Sequence, residues 1–387
     1  MQVARGSVQS HHAEFGKANR AFPAPGAARP VRRMSTVVRG SAMKEKAGVD
    51  ARGPPVKPLQ MGGRLPIVGN AHQVDLLKLY EKIEDWHQEH GEVFELKVFN
   101  RVGLHTSNAQ DIQQIFKNAE TFPKQTSLLD VISEWLGDGL ATQSNIEKHA
   151  EMRRILNPAF RMDYIKGLSP VFGEIGGKLA DDLLRMGKHD IQDMTMRATI
   201  DIIGKTGFRY DFGSLDLATG ARSSPVTVTT KDGPLDVAAL FDKICSGAGQ
   251  LFAFGFLPKA ITPGYKDYKD SIGQLNDVID TVLAERKSQG VKPTDLDLIS
   301  FCVRAMDEHP DIMDSQQIRE ELHTMLFAGS DTTANTLSWM FYVLAREPEM
   351  LARCTAEADA LLASDAAPLS PDLLNAKLPY TTACFKE

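Results

Sequence analysis

The feature that most constrains this 387-residue chain is a helical pattern running from Asp314 to Glu347. Ile318, Leu322, Met325, Leu326, Leu337, Met340, Phe341 and Leu344 recur at the spacing that gathers apolar side chains on one stripe of an α-helix. Asp314 with Gln317 resembles a capping box, and Pro348 supplies a stop. At about 1.5 Å per residue the span predicts a rod of about 51 Å, long enough to cross a whole domain. The expectation is a central helix that is largely buried.

The middle of this helix is poorly chosen for helix. Gly329, Ser330, Asp331, Thr332 and Thr333 are all weak formers, together costing roughly 3 kcal/mol relative to alanine. A carboxylate in a buried helix costs more still unless it is paired or meets water. Local rules broken at one place mark a functional candidate. Gly329, without a side chain, lets another group approach the backbone closely. The Thr332 hydroxyl is placed to bond back to the Ala328 carbonyl and bend the helix. Asp331 and Thr332 then form an acid–alcohol pair able to pass protons. The plain structural alternative is a kink, with Asp331 facing solvent and the threonines capping a broken helix.

Around this rod the chain reads as mainly helical with a small β element near its start. Glu92 to Phe99 alternates with Phe94, Leu96 and Val98 on one face, and Asn100-Arg101 turns it into a second strand through Leu104. Residues 71–90 read as a helix. So do Ala109–Lys117, Ile146–Leu156, Ser169–Arg185, Asp193–Gly207, Leu235–Phe252, Tyr265–Gln289, Leu296–Asp307 and Glu349–Ala363. Val226–Thr230 is β-branched and reads as a strand or an ordered loop. No repeat of 20–50 residues appears, which sets solenoids aside.

Charge divides the chain. Residues 1–44 hold eight bases and one acid, Glu14, leaving 36 bases and 49 acids in the remainder. An acidic body argues against nucleic acid as a main partner. The leader, residues 1–52, is rich in Arg, Ala, Ser and Gly and lacks a continuous apolar core, so an organellar transit peptide fits it better than a secretory signal. A disordered basic tail is the alternative. Prolines and glycines from Gly53 to Gly69 predict a stiff, extended entry to a folded body spanning 53–387. No run of 18 apolar residues is present, so no transmembrane anchor is expected. Cys245, Cys302, Cys354 and Cys384 are widely spaced, with no zinc spacing and no disulfide framework, and read as ordinary buried or half-buried thiols.

Ala328-Gly329-Ser330-Asp331-Thr332-Thr333 resembles the oxygen-activation motif of the cytochrome P-450 family, the haem-thiolate monooxygenases. Further segments follow in the family's order. Leu65-Pro66-Ile67-Val68-Gly69-Asn70 is similar to the end of its proline-rich hinge. Leu136-Gly137-Asp138-Gly139-Leu140, followed by Arg153-Arg154-Ile155-Leu156-Asn157-Pro158-Ala159-Phe160, resembles the segment leading through its C helix. There Arg153 takes the place of a haem-propionate contact, and His149 stands where the family usually has Trp. Asp201 to Leu215, with Gly207-Phe208-Arg209-Tyr210-Asp211-Phe212, is similar to its E helix and the loop after it. Leu378-Pro379-Tyr380 to Glu387 looks like the start of its K helix, with Glu387 as a structural Glu.

The resemblance implies a haem cofactor and insertion of one atom of O₂ into a lipophilic small molecule. Electrons would come from a reductase or ferredoxin partner. It assigns proton delivery to Asp331 and Thr332, the oxygen groove to Ala328 and Gly329, and haem contacts to Arg153 and His149. None of the four cysteines has the Phe and Gly partners of the family's axial-ligand loop, so no metal ligand is identified. A thiolate axial ligand favours O–O cleavage. The expectation is therefore a P-450-like fold lacking its C-terminal haem-ligand portion, an inactive fragment of an oxidoreductase. The alternative is a non-enzymatic short helical product that binds partners or apolar ligands. His149 or His323 as a substitute axial ligand is a weaker third reading. A real leader places the chain in a plastid or mitochondrion, and otherwise in the cytoplasm. Leu235–Leu257 and the region before Gly137 are the expected substrate-facing segments.

Overall fold

The structure, a computed structural model, describes residues 59–74, 78–99, 101–124, 126–186, 190–220, 228–230, 233–253, 259–363 and 370–386. All belong to the unit Pro58–Glu387. The leader and Glu387 lie outside the described residues.

Leu59–Gln60 (β1), Val93–Val98 (β2) and Arg101–Thr106 (β3) form a three-stranded sheet, with β1 parallel and β3 antiparallel to β2. The helix expected over 71–90 is divided into a short 3-10 turn, Ala71–Gln73, and α1, Leu79–His90. Alternation in β2 does what the sequence implies. Phe94 and Leu96 are buried with Trp86 of α1 and Met61 in a small satellite core. The β-branched run becomes Val228–Thr230 (β4), paired antiparallel with Gly233–Leu235 (β5).

The remaining helices are α2 (Ala109–Lys117), α3 (Thr126–Leu136), α4 (Ile146–Leu156), α5 (Met162–Gly167), α6 (Ser169–Met186), α7 (Ile191–Ile203), α8 (Ser214–Thr219), α9 (Val237–Ala253), α10 (Tyr265–Gln289), α11 (Leu298–Glu308), α12 (Ser315–Arg346), α13 (Pro348–Leu362), α14 (Pro371–Lys377) and α15 (Pro379–Lys386). Their starts follow N-cap chemistry. Asn108, Asn145, Asp190, Asp297, Asp314 and Ser370 each accept a backbone N–H from the first turn of the helix they precede. Asp314 Oδ1 lies 2.7 Å from Gln317 N. The Gln317 side chain does not complete the capping box; it reaches instead to Asp138 O at 3.1 Å.

The long helix α12 is unbroken through its weak centre, about 48 Å over 32 residues. Its buried residues all lie between Gln317 and Ala334. Beyond them Trp339 is 66% exposed and Phe341, Tyr342 and Val343 are also exposed. The expectation of a largely buried rod thus holds for the first two-thirds only. There α3, α7, α10 and α11 pack along the helix, whereas α7 begins at Ile191 and has no turn left to cover the last third.

The closest of these packings is with α7. Thr199 Oγ1 lies 3.2 Å from the Ser330 carbonyl oxygen, and Thr195 Oγ1 lies 3.2 Å from that of Ala334 and 2.8 Å from Ser338 Oγ. A Cβ added at Gly329 would stand 3.2 Å from two carbons of Ile203. Ser330 and Ala334 are fully buried. Small residues on one stripe of α12 therefore let the two backbones approach until side-chain hydroxyls of one helix reach main-chain oxygens of the other. The weak formers are the condition for that contact.

A second, polar contact ties α12 to α3 and α10. Trp135 Nε1 donates to His323 Nδ1 at 3.1 Å, and His323 Nε2 lies 2.8 Å from Asn276 Oδ1. Because Trp135 can only donate, His323 carries its proton on Nε2 and passes it toward Asn276. Burial pushes the His323 ring down to about 3, so it is neutral at physiological pH.

Two outcomes follow for stability. Ser330 Oγ is buried with no hydrogen-bond partner among the described residues. Ser330→Ala should raise stability by about 0.5–1 kcal/mol, and Ser330→Leu should lower it by roughly 1–3 kcal/mol by prising α7 from α12. Exposed Thr333→Leu serves as the control, read from urea midpoints. For His323, the folded-state pKa lies below the unfolded value of 6.5, so stability is full above pH 6.5 and is lost as pH falls toward 3. His323→Gln keeps an acceptor for Trp135 and a donor for Asn276. Its unfolding free energy should fall less than the parent's between pH 6.5 and 5; parallel slopes would contradict the assignment.

Candidate functional site

The centre of α12 presents two faces. Gly329, Ser330 and Ala334 turn toward α7, while Ala328, Thr332, Thr333 and Thr336 are exposed. Thr332 Oγ1 donates to the Ala328 carbonyl at 2.8 Å, the expected back-bond, and Thr336 repeats it onto Thr332 at 2.8 Å. Ala328 and Thr332 therefore share one open stripe. Gly329 does not lie on it; the group that uses its missing side chain is Ile203.

Asp331 lies between the two faces and is half-buried. Burial raises its carboxyl above the ordinary carboxylate range, against the pull of a hydrogen bond from Asn335 Nδ2 at 3.1 Å. Asn335 Oδ1 in turn accepts from Gln192 Nε2 of α7 at 3.2 Å. The carboxyl is thus oriented by two amides and holds its proton to higher pH than a solvated aspartate. It neither faces open solvent nor caps a broken helix. The Cys245 thiol of α9 is pushed up to about 12 by burial and then by the charge of Asp331. It stands beside the carboxyl as a neutral group.

The first turns of α12 build a second part of the site. Glu320 Oε2 accepts from Asp138 N at 3.0 Å, and Glu321 Oε2 accepts from Leu140 N at 3.3 Å. Any side chain at Gly139 would collide with Thr324 Oγ1 and the Glu320 carbonyl, so the loop Gly137–Gln143 is moulded onto α12. Burial raises the Glu321 carboxyl to about 7, although Leu140 N and Gln317 both favour its charged form. Lys124 Nζ donates to the Leu140 and Ala141 carbonyls at 3.3 and 3.1 Å from the other side of this loop.

The loop leads into α4 and so places His149 and Arg153 beside Lys124. Burial lowers the Lys124 ammonium, with Arg153 adding to it, and burial lowers the His149 ring, with Lys124 and then Arg153 adding. Among the described residues no carboxylate pairs with Lys124 or Arg153. Lys124 and Arg153, gathered without a carboxylate among the described residues, make a cationic cradle that attracts anions.

The structure therefore brings Ala328, Asp331 and Thr332 together on one helix and Arg153 and His149 together on another. Glu387 lies outside the described residues. His323 has both ring nitrogens engaged and offers no lone pair to a metal. The apolar residues of α9 are mostly core: Val237, Leu240, Ile244 and Leu251 are buried. Phe241, also fully buried, joins Trp135 and Phe327 in an aromatic cluster, with ring centroids 5.3 Å (Trp135–Phe241), 5.1 Å (Trp135–Phe327) and 6.3 Å (Phe241–Phe327) apart. Phe327 directly precedes Ala328. Two contributors escape the sequence reading. Lys124 carries no motif, and Gln192 with Asn335 is visible only once α7 is seen to cross α12.

The family model described as cytochrome P450 matches residues 59–387. Protein LUTEIN DEFICIENT 5, chloroplastic, of Arabidopsis thaliana is 28% identical over 318 residues, covering 77% of this chain and 50% of that protein. Cytochrome P450 4F6 of Rattus norvegicus is 29% identical over 289 residues, 70% of this chain and 51% of its own length. Cytochrome P450 4F5 of Rattus norvegicus is 31% identical over 291 residues, 68% and 52% respectively. The chain spans about half the length of the curated relatives it matches. The unbroken central helix with its open Ala328–Thr332 stripe, the moulded loop and the cationic cradle all lie within the matched span, and the chain belongs to the cytochrome P450 family.

Proposed function

We propose that these residues form the proton-delivering and haem-cradling part of a monooxygenase that places one atom of O₂ in a lipophilic small molecule. Haem is the cofactor of this family, and when bound it supplies the oxidising chemistry. The observation that carries the reading is the position of Asp331. Its carboxyl is half-buried, raised, and steadied by Asn335 and Gln192, next to an exposed threonine hydroxyl on an unbroken helix. Asp331 Oδ2, the oxygen not held by Asn335, is free to carry a proton, which burial makes it hold to higher pH than a solvated aspartate. The Thr332 hydroxyl spends its own proton on the Ala328 carbonyl, so its lone pairs accept a hydrogen bond from a ligand on the open stripe. Ala328 keeps that stripe low.

Lys124, Arg153 and His149 would hold the cofactor's carboxylates, with His149 donating from a ring nitrogen in its neutral form. Half-buried Phe327, directly before Ala328 and backed by buried Trp135 and Phe241, would offer an apolar substrate its contact beside Ala328. None of Cys245, Cys302, Cys354 and Cys384 has the Phe and Gly partners that the resemblance calls for in a haem-ligating cysteine, so none of them is assigned that role. Electrons come from a reductase or ferredoxin. Among the described residues no helix is long and apolar enough to cross a membrane. Residues 1–52 serve as an organellar leader to the body at 53–387, and the word "chloroplastic" in the name of the Arabidopsis relative favours a plastid over a mitochondrion.

Two measurements test this. Arg153→Gln and Lys124→Gln should each weaken haem binding about tenfold in a spectroscopic titration, as expected for losing one hydrogen bond to a charged group; unchanged affinity would remove them from the cradle. In the whole protein, Asp331→Asn should lower kcat on the order of 10²-fold while leaving the substrate-induced spectral change intact. A loss confined to KM would assign Asp331 to binding.

A further inference from the structure

Cys354 and Cys384 lie on different helices, and the contacts between those helices bring the two thiols together. Glu357 of α13 receives the N-terminus of α15: its Oε1 accepts from Tyr380 N at 2.8 Å, and its Oε2 accepts from Thr381 N at 2.8 Å and Thr381 Oγ1 at 2.9 Å. One turn earlier on α13, the Arg353 guanidinium lies 3.7 Å from the centre of the Tyr380 ring. Cys354 stands about one turn before Glu357 on α13, and Cys384 about one turn after Tyr380 and Thr381 on α15. α13 and α15 pack on one another, and the two thiols are near enough to act on each other, with Tyr380 also acting on Cys384. Cys354 is buried and Cys384 is half-buried, so one sulfur is reachable and the other waits behind it.

We propose that Cys354 and Cys384 are a redox-modifiable pair, a dithiol that closes to an intramolecular disulfide and clamps α15 to α13. The oxidant is a low-molecular-weight disulfide such as glutathione disulfide. The Cys384 sulfur, as thiolate, attacks one sulfur of glutathione disulfide; that S–S bond breaks and a first glutathione thiolate leaves. The Cys354 sulfur then attacks the Cys384 sulfur, forming the protein disulfide and expelling the second glutathione. Two electrons pass to glutathione disulfide, and the two thiol protons end on the two glutathione molecules. Burial and the Cys354 contact raise the Cys384 thiol, while Tyr380 and Arg353 favour its charged form. Thiolate is the attacking form, so closure should quicken as pH rises. Cys302 is fully buried and Cys245 is held by Asp331 and burial. Neither has a thiol neighbour among the described residues.

The test uses the full 387-residue chain, reduced and then equilibrated in a series of glutathione redox buffers. Mass spectrometry of non-reduced digests should find the Cys354 and Cys384 peptides joined, about 2 Da lighter than the two thiol peptides together. Free-thiol count should fall from four to two. Hydrogen exchange of the α15 amides should slow on oxidation, with that slowing lost in Cys384→Ala and in Cys354→Ala. Cys302→Ala should still form the link, and the small Cys→Ala change at each buried site keeps the fold testable. Glutathione retained on Cys384 without a link, or links scattered among all four cysteines, would overturn the proposal.

Discussion

The close crossing of α7 over α12 is the contact on which the rest of the molecule depends. Gly329, Ser330 and Ala334 remove side-chain bulk from one stripe of α12, and Ile203, Thr199 and Thr195 fill the space. A helix turns by about 100° per residue, so fixing which stripe meets α7 also fixes where every other stripe points. Ala328 and Thr332, four residues apart, are then obliged to share a face away from α7. Asp331 is left at the margin, where burial raises its carboxyl and Asn335 and Gln192 hold it. A chain with leucine at 330 and 334 would make a better isolated helix and a worse site, because the rotation of α12 would be undetermined.

The same helix is the ruler for the cationic cradle. Gln317, Glu320, Glu321 and Thr324 mould the loop Gly137–Gln143, and that loop starts α4 at the position that sets His149 and Arg153 beside Lys124. The placement of Asp331 with Thr332 and the gathering of Lys124, Arg153 and His149 thus both depend on one rigid element. Buried polar groups carry this arrangement. Glu321 is raised by desolvation yet doubly hydrogen-bonded, and His323 is kept neutral between Trp135 and Asn276. Such networks cost stability if half-satisfied and specify one geometry when complete.

Much of this was legible before any coordinates. Ala109–Lys117, Ile146–Leu156 and Tyr265–Gln289 form over the residues that periodicity indicates, because Asn108 and Asn145 cap two of them and Gly290 ends the third. The Thr332 back-bond is a local event four residues long, so sequence suffices for it. Other parts were not legible. Thr126–Leu136 ends at Gly137, with φ +56°, yet the residues ahead of that glycine escape the sequence reading as a helix, and the helix over 71–90 divides where no proline announces a break. Lys124 acts through two carbonyls of a loop 16 and 17 residues away, and no local pattern encodes that meeting. Cys354 and Cys384, read singly as inert thiols, become neighbours only because Glu357 draws the start of α15 onto α13.

By itself the sequence determined a mainly helical P450 chain, a long helix weak at residues 329–333, and an acid–alcohol pair at Asp331 and Thr332. Those are properties of spacing and residue type, which act over one or two helical turns. Only the tertiary structure decided that Gly329 serves Ile203, that the last third of α12 stays exposed, and that Lys124 joins Arg153 and His149. It also decided that Cys354 and Cys384, far apart in sequence, lie on helices that pack together. These outcomes rest on which helix faces meet, and that is settled by packing across the whole domain, where small residues permit approach and buried polar groups demand specific partners.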